Sequence, residues 1–291
     1  MTAPSTLTPA SPDTAADAAA LASGKGHGDE NFPVASFLLK AEHRAPVMAF
    51  YRFARAADDV SDNQDADDAQ KLAVLGTMRA TLAGESDTDP ASLALRGVLA
   101  ERGLSAQHGL DLLTAFERDC RQRRYESWDE LIDYCRYSAM PVGRYVLDVH
   151  GEDRATWPAN DALCAALQVI NHLQDCAKDY RNLDRVYLPL DMMAAAGARV
   201  EDLAAPAARP ALRQVIVAMA RRTQALLAES ARFSAQIRSR RLGVEVAVIQ
   251  RLAESLTRRL LTRDPLSERV HHNKGEAALL AARAALGRLT R

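Results

Sequence analysis

Two stretches of this chain place oxygen-bearing side chains at helical spacing. Arg55, Asp58, Asp59 and Asp62 fall on one face of a helix, with neighbours one turn and about 5–6 Å apart. Gln168, Asn171, Asp175 and Asp179 make a second stripe, all oxygen donors, between the apolar residues Leu167, Val169, Ile170 and Leu173. Like charges four residues apart cost a helix about 0.2–0.5 kcal/mol. Oxygen ligands in this arrangement suit a hard cation such as Mg²⁺, which usually binds one or two carboxylates plus phosphates and water. Two facing aspartate stripes could therefore hold Mg²⁺ ions that clamp a diphosphate and neutralise it as a C–O bond ionises.

Spacing by itself is weak grounds. With 24 Asp in 291 residues, about two Asp pairs at i,i+4 are expected from composition alone, and four occur, at 13/17, 58/62, 129/133 and 175/179. A solvated acidic face is the plain alternative. The pairs 58/62 and 175/179 differ in setting, because each follows an apolar run (Phe50, Tyr51 and Phe53 before the first). Polar residues adjoining a core are rarer than surface charges. Asp13/Asp17 and Asp129/Asp133 lack that setting and are given no function.

The elements that must position these stripes are helices. Hydrophobic residues make up 48% and charged residues 26%, as in soluble globular proteins. Gly (14) and Pro (12) are scarce, against turn-dense β folds. Lys+Arg 37 against Asp+Glu 38 lacks the basic excess of a non-specific nucleic-acid binder. Residues 1–28, rich in Ala, Ser, Thr, Pro and Gly, are expected to be a disordered tail. Residues 29–291 are expected to form one all-α domain. Its helices are predicted over Phe37–Ala57, Asp67–Ala83, Ser92–Glu101, Ser105 to about Arg123, Ser127 onward with a break at Pro141 and Gly143, and Asn160 or Asp161 to about Tyr180. An extended connector follows over Arg181–Pro189, then helices over Arg209–Arg240, Val244–Thr262 and Lys274–Arg291. No run approaches the ~18 apolar residues of a membrane span, and the first residues do not read as a signal peptide. Cys120, Cys135, Cys164 and Cys176 show no metal-binding spacing and are expected to be reduced thiols packed in a cytosolic protein.

Three blocks in order resemble the squalene/phytoene synthase family. Phe50-Tyr51-Arg52-Phe53-Ala54-Arg55-Ala56-Ala57-Asp58-Asp59-Val60-Ser61-Asp62 looks like its first aspartate motif. Tyr134-Cys135-Arg136-Tyr137-Ser138, running on to Gly143, looks like its mid-chain tyrosine motif. Gln168, Asn171, Asp175 and Asp179, followed by Arg185-Val186-Tyr187-Leu188-Pro189, look like its second aspartate motif. Within the family, Glu30-Asn31-Phe32-Pro33 and Arg269-Val270 resemble the hopanoid-pathway subfamily of hydroxysqualene synthases, the HpnC type.

The resemblance implies an isoprenoid synthase helical bundle with a central apolar cavity. It implies that Asp58, Asp62, Asn171, Asp175 and Asp179 bind Mg²⁺, that Arg55 and Gln168 contact diphosphate, that Tyr51 and Phe32 line the prenyl pocket, and that Tyr134 sits near the reacting carbons. The implied reaction converts presqualene diphosphate and water to hydroxysqualene and diphosphate, without an NADPH site. The implied partners are a synthase that supplies presqualene diphosphate and a flavin-dependent reductase that consumes the product. The alternatives are a head-to-head enzyme making presqualene diphosphate, squalene or a carotenoid precursor from prenyl diphosphates, a head-to-tail prenyltransferase or terpene cyclase, against which the Arg185–Pro189 tail and the tyrosine block argue, and a non-catalytic assembly factor. Read from the residues, Tyr51, Tyr134 and Tyr137 could offer π faces to a carbocation or simply pack in the core. Tyr180 and Tyr187 are expected to be structural, and His172 to be a helix-face residue and not a base; the resemblance implies that Gln174, standing where carotenoid-forming relatives often have Arg, removes a fixed positive charge from beside the diphosphate. Peripheral contact with the inner membrane is plausible for so hydrophobic a substrate. No clear basic amphipathic anchor is visible, and the last helix, rich in Ala, Leu and Arg, is a candidate.

Overall fold

The computed structural model describes residues 41–289. The expected tail, the start of the Phe37 helix and Phe32 lie outside the described residues. Within them the chain is helical, with no strand and one isolated bridge between Arg124 and Val186.

The helices are α1 Ala41–Asp62, α2 Asp68–Ala83, α3 Pro90–Arg102, α4 Gln107–Arg121, α5 Trp128–Ser138, α6 Met140–Val149 and α7 Trp157–Leu183. After these come α8 Leu190–Ala196, α9 Pro210–Glu229, α10 Phe233–Gln236, α11 Arg240–Leu260 and α12 Lys274–Leu289. Local chemistry sets many of the ends. Asp67 and Gln70 close a reciprocal capping box at the start of α2, and Gly84 ends that helix with φ 86°. Ser127 accepts the Glu130 N–H at the start of α5. Ser105 misses the cap position by one residue: Ala106 occupies it, and Ser105 Oγ accepts the Gln107 N–H instead.

Two expected boundaries move. Helix α7 opens at Trp157, with Pro158 in its first turn, and leaves Asn160 buried inside it. It runs on to Leu183, so the extended connector is shorter and begins after the left-handed Asp184 (φ 51°). The helix expected over Arg209–Arg240 breaks after Glu229. After a 3-10 turn and the short α10 the chain leaves helical geometry at Ile237 (φ −78°, ψ 128°), where the backbone N–H groups of Arg238 and Ser239 both donate to the Glu152 carboxylate at 2.8 Å. Chain leaving a helix must place its N–H groups elsewhere, and a buried carboxylate takes two of them.

The core runs through Phe53, Leu75, Leu113, Leu131, Val169, Ile170, Leu173, Leu212, Ile216 and Leu260, all 0% exposed. Helix α7 is its axis and packs against α5, α6, α9 and α11, while α1 packs against α3, α4 and α6 on the other side. All four cysteines are free, and burial pushes their thiols up to about 11 for Cys120 and about 12 for the rest.

Gly143 explains why α6 lies so close to α7. A Cβ there would meet Asn160 Oδ1 at 2.0 Å and Cys164 Sγ at 2.7 Å. Gly143→Ala is expected to destabilise the fold by about 1–3 kcal/mol through overpacking, read as a lower thermal midpoint. Glu245 on α11 gives a second expectation. It is 6% exposed and its Oε2 has no hydrogen-bond partner, and burial pushes its carboxyl from 4.5 up to about 7. The native protein therefore keeps a proton that the unfolded chain releases between these values. Stability contributed by that proton is present below pH 4.5 and lost as pH rises through 7. Glu245→Gln is expected to flatten that fall and raise the midpoint at neutral pH, measured by thermal unfolding across pH 4–8.

Candidate active site

The first aspartate stripe occupies the last two turns of α1, and the second runs along the middle and end of α7. The two come near enough for charge to matter. Asp62 raises both Asp58 and Asp179, while Asp175 raises Asp179. Both Asp58 and Asp179 are pushed from 3.8 up to about 7, with burial the larger cause and neighbouring carboxylates next. Asp58 nonetheless keeps 37% of its side-chain surface, so it fronts an opening.

Fixed cations offset part of this repulsion. Arg55 pairs with Asp58 at 3.2 Å and Asp59 at 3.1 Å within α1. Arg185, just past α7, reaches the other stripe: its guanidinium donates to Asp62 Oδ1 at 2.5 Å and to the Ser61 carbonyl at 2.8 Å. Arg185 is 6% exposed while the Asp62 side chain keeps 30% of its surface, so the pair is buried on the arginine side and open on the other. The segment is held by backbone bonds, Arg185 N–H to the Asp179 carbonyl, Val186 N–H to that of Arg123 and Leu190 N–H to that of Tyr125.

Behind Arg185 lies a buried polar cluster. Asp119, on α4, accepts the Tyr134 hydroxyl at 2.8 Å and the Tyr187 hydroxyl at 3.1 Å. Burial pushes Asp119 up to about 6, against the pull of Arg185 and the two hydroxyls. The rings of Tyr125, Tyr134 and Tyr187 lie 5.3–5.6 Å apart. His172 stacks on Tyr187 at 3.6 Å, and its Nε2 meets Gln168 Nε2 at 3.2 Å. Burial, then Arg185, lowers His172 to about 3, so its imidazole is neutral. Arg118 lies 5.7 Å over Tyr134 and 6.0 Å over Tyr137.

The structure thus brings Asp58, Asp62, Asp175 and Asp179 into one electrostatic neighbourhood. Gln168 and Tyr134 belong to the adjoining cluster. Asn171 lies on the α7 stripe with Gln168 and Asp175, and Tyr51 lies half-buried on α1. Phe32 is outside the described residues. Gln174 does not face the acidic site as a lost cation would: it is buried, and its amide donates to the Val270 carbonyl. Asp129 and Asp133 stand apart, Asp133 pairing with Arg118 at 2.9 Å.

Sequence reasoning missed Asp119, and it read Tyr187 as structural and gave Arg185 no role. A signal for Asp119 existed. His108, Leu112, Ala115 and Asp119 recur at 4, 3 and 4 residues along the buried face of α4. A carboxylate in phase with an apolar stripe is an inward charge, not a solvated one.

A divalent metal is tested by these donors. Among the described residues no three His, Cys, Asp or Glu gather as a closed cage. The carboxylates instead approach from two helices, and Asp58 and Asp179 are raised by burial first and by neighbouring carboxylates second. That suits Mg²⁺, which keeps water and takes phosphate oxygens beside one or two carboxylates, so the residues fit.

The squalene/phytoene synthase family model matches residues 25–276. A hydroxysqualene synthase of Zymomonas mobilis subsp. mobilis is 61% identical over 275 residues, 94% of this chain and 93% of that protein. One of Rhodopseudomonas palustris is 55% identical over 254 residues, 87% of each chain. The crystal structure of the squalene synthase HpnC of Alicyclobacillus acidocaldarius superposes with a TM-score of 0.69 at 33% identity, covering 84% of this chain and 92% of that one.

Proposed function

This chain belongs to the squalene/phytoene synthase family, and from that premise we propose that it is a hydroxysqualene synthase, converting presqualene diphosphate and water to hydroxysqualene and diphosphate. The observation that carries the reading is the 61% identity to a hydroxysqualene synthase along 94% of the chain. Residues 29–291 would form the catalytic domain.

In this reading Asp58, Asp62, Asn171, Asp175 and Asp179 hold Mg²⁺. The metal, when bound, would withdraw charge from the departing diphosphate as a Lewis acid. Arg55 and Gln168 turn toward the diphosphate, and Arg185 holds Asp62 in place across the gap between α1 and α7. Tyr51 and Phe32 border the hydrocarbon chains. Tyr134 presents its ring to the cation left behind, where a π face contributes about 0.5–2 kcal/mol. Its hydroxyl is committed to Asp119, which fixes the ring and keeps the hydroxyl from capturing the cation itself. Neutral His172 adds no positive charge beside the cation. Water therefore ends the reaction from outside this cluster.

Upstream, the proposed partner is an enzyme that supplies presqualene diphosphate. Downstream, it is a flavin-dependent reductase. Among the described residues no helix is long and apolar enough to cross a membrane, and C30 substrates partition into lipid, so contact with the inner membrane is proposed to be peripheral. The test offers presqualene diphosphate and farnesyl diphosphate separately, with Mg²⁺ and without NADPH. Hydroxysqualene from the first alone is the expected product. Consumption of farnesyl diphosphate to a coupled C30 product would move the chain to the condensing branch of the family.

A further inference from the structure

We propose that the outer face formed by α12 with α10 and the middle of α11 docks on an anionic lipid surface. This deepens the peripheral contact proposed above by naming the face and the lipid chemistry. It does not depend on which diphosphate is the substrate.

Three observations carry it. The first is charge asymmetry: residues 232–291 hold 13 Lys and Arg against 5 Asp and Glu, whereas the rest of the chain holds 24 against 33. The whole chain is near neutral, so the basic excess is gathered at one end. The second is an apolar stripe. Leu279 and Leu286 are 53% and 66% exposed, the two most exposed large hydrophobic residues described. They lie seven residues apart on α12, with Arg283 between them on the same face. The third is a groove of about 240 Å³ beside that stripe, between α12 and the α10–α11 region, lined by Arg232, Arg251, Arg288 and the stripe's own Arg283. Its one carboxylate, Glu254, is taken by Arg251 at 2.8 Å. Arg288 is tied by its Nε to the Ser234 carbonyl. Arg232 and Arg283 form no ion pair among the described residues, so their charge is available to a partner.

Exposed leucines rimmed by arginine are poor neighbours for water and good ones for the headgroup boundary of an anionic bilayer. There the leucines enter the acyl edge and guanidiniums meet phosphates. The inner arginines, α11 and the core behind them hold α12 flat, so the face lies on the membrane and does not cross it.

The test is sedimentation of the full-length protein, without substrate, with vesicles of phosphatidylcholine alone or mixed with phosphatidylglycerol. Binding to the anionic vesicles is expected to be about tenfold or more tighter at low salt and to weaken as salt screens it. Arg232→Glu with Arg283→Glu is expected to lower anionic binding at least about tenfold. Leu279→Ser with Leu286→Ser is expected to lower it while leaving the unfolding midpoint unchanged, because both side chains are already exposed. Equal binding by the parent and both double variants would overturn the proposal. So would absence of vesicle binding together with a dimer that the leucine variant dissolves, which would assign the face to a second copy of this chain.

Discussion

Asp58→Asn is expected to cut Mg²⁺-dependent diphosphate release from presqualene diphosphate by about a thousandfold. A metal clamp on a leaving group contributes several kcal/mol to the transition state, and each 1.36 kcal/mol is about tenfold in rate. Asp179→Asn is expected to behave alike. The diagnostic lies in stability, which should move the other way. Asp58 and Asp179 are pushed up to about 7 in the fold by burial and by neighbouring carboxylates. Their protonated forms stabilise the metal-free protein at low pH, and that contribution is lost as pH rises through 7. An Asn has no charge to lose. In chelator, Asp179→Asn is therefore expected to unfold at a higher temperature than the parent above pH 7, and to show less stabilisation by added Mg²⁺. Full activity, or an unfolding midpoint below that of the parent, would remove these residues from the metal site.

Asp119→Asn is the second large effect. Asp119 is 4% exposed and serves three partners at once: two tyrosine hydroxyls, and the charge of Arg185. Asparagine keeps the shape but loses the charge, and it turns an amide N–H toward groups that themselves donate. Breaking one side of a buried charge pair costs about 3–5 kcal/mol. For a chain of this size that lowers the unfolding midpoint by roughly 6–20 °C. Activity is expected to fall by about a hundredfold, chiefly in kcat, because the tyrosine ring and the Arg185–Asp62 tether both lose their fixed positions. Tyr187→Phe supplies the control: it removes one hydroxyl from Asp119 at about 1 kcal/mol and leaves the charge pair whole. If Asp119→Asn unfolds no lower than Tyr187→Phe, the carboxylate is not the anchor described.

These two residues also mark what could be read without coordinates. Asp58 stands out in the sequence because two signals agree: it follows an apolar and aromatic run, Phe50 to Ala57, and its partner Asp62 stands one turn away. Asp119 sits in Glu117-Arg118-Asp119-Cys120-Arg121, a charged run that resembles any solvated helix end. Only its phase with Leu112 and Ala115 betrays it. Tyr187 was read as structural because nothing local distinguishes a core tyrosine from one whose hydroxyl is spent on a carboxylate 68 residues away. Arg185 pairs with Asp62 across 123 residues, a separation on which periodicity is silent.

Helix content, the spacing of the aspartate stripes and the Ser127 cap were determined by the chain itself, because each rests on neighbours within about four residues, and hydrogen bonds at that range are written into local order. The exit from helix at Ile237 was not, because the next two backbone N–H groups go to Glu152, a remote carboxylate. The same holds for Gln174, whose amide goes to Val270 and not to the acidic site. It holds too for the shared field of the two stripes, which exists only once α1 and α7 face each other. Charges act through space, and only the tertiary structure decides which ones are close enough to be felt.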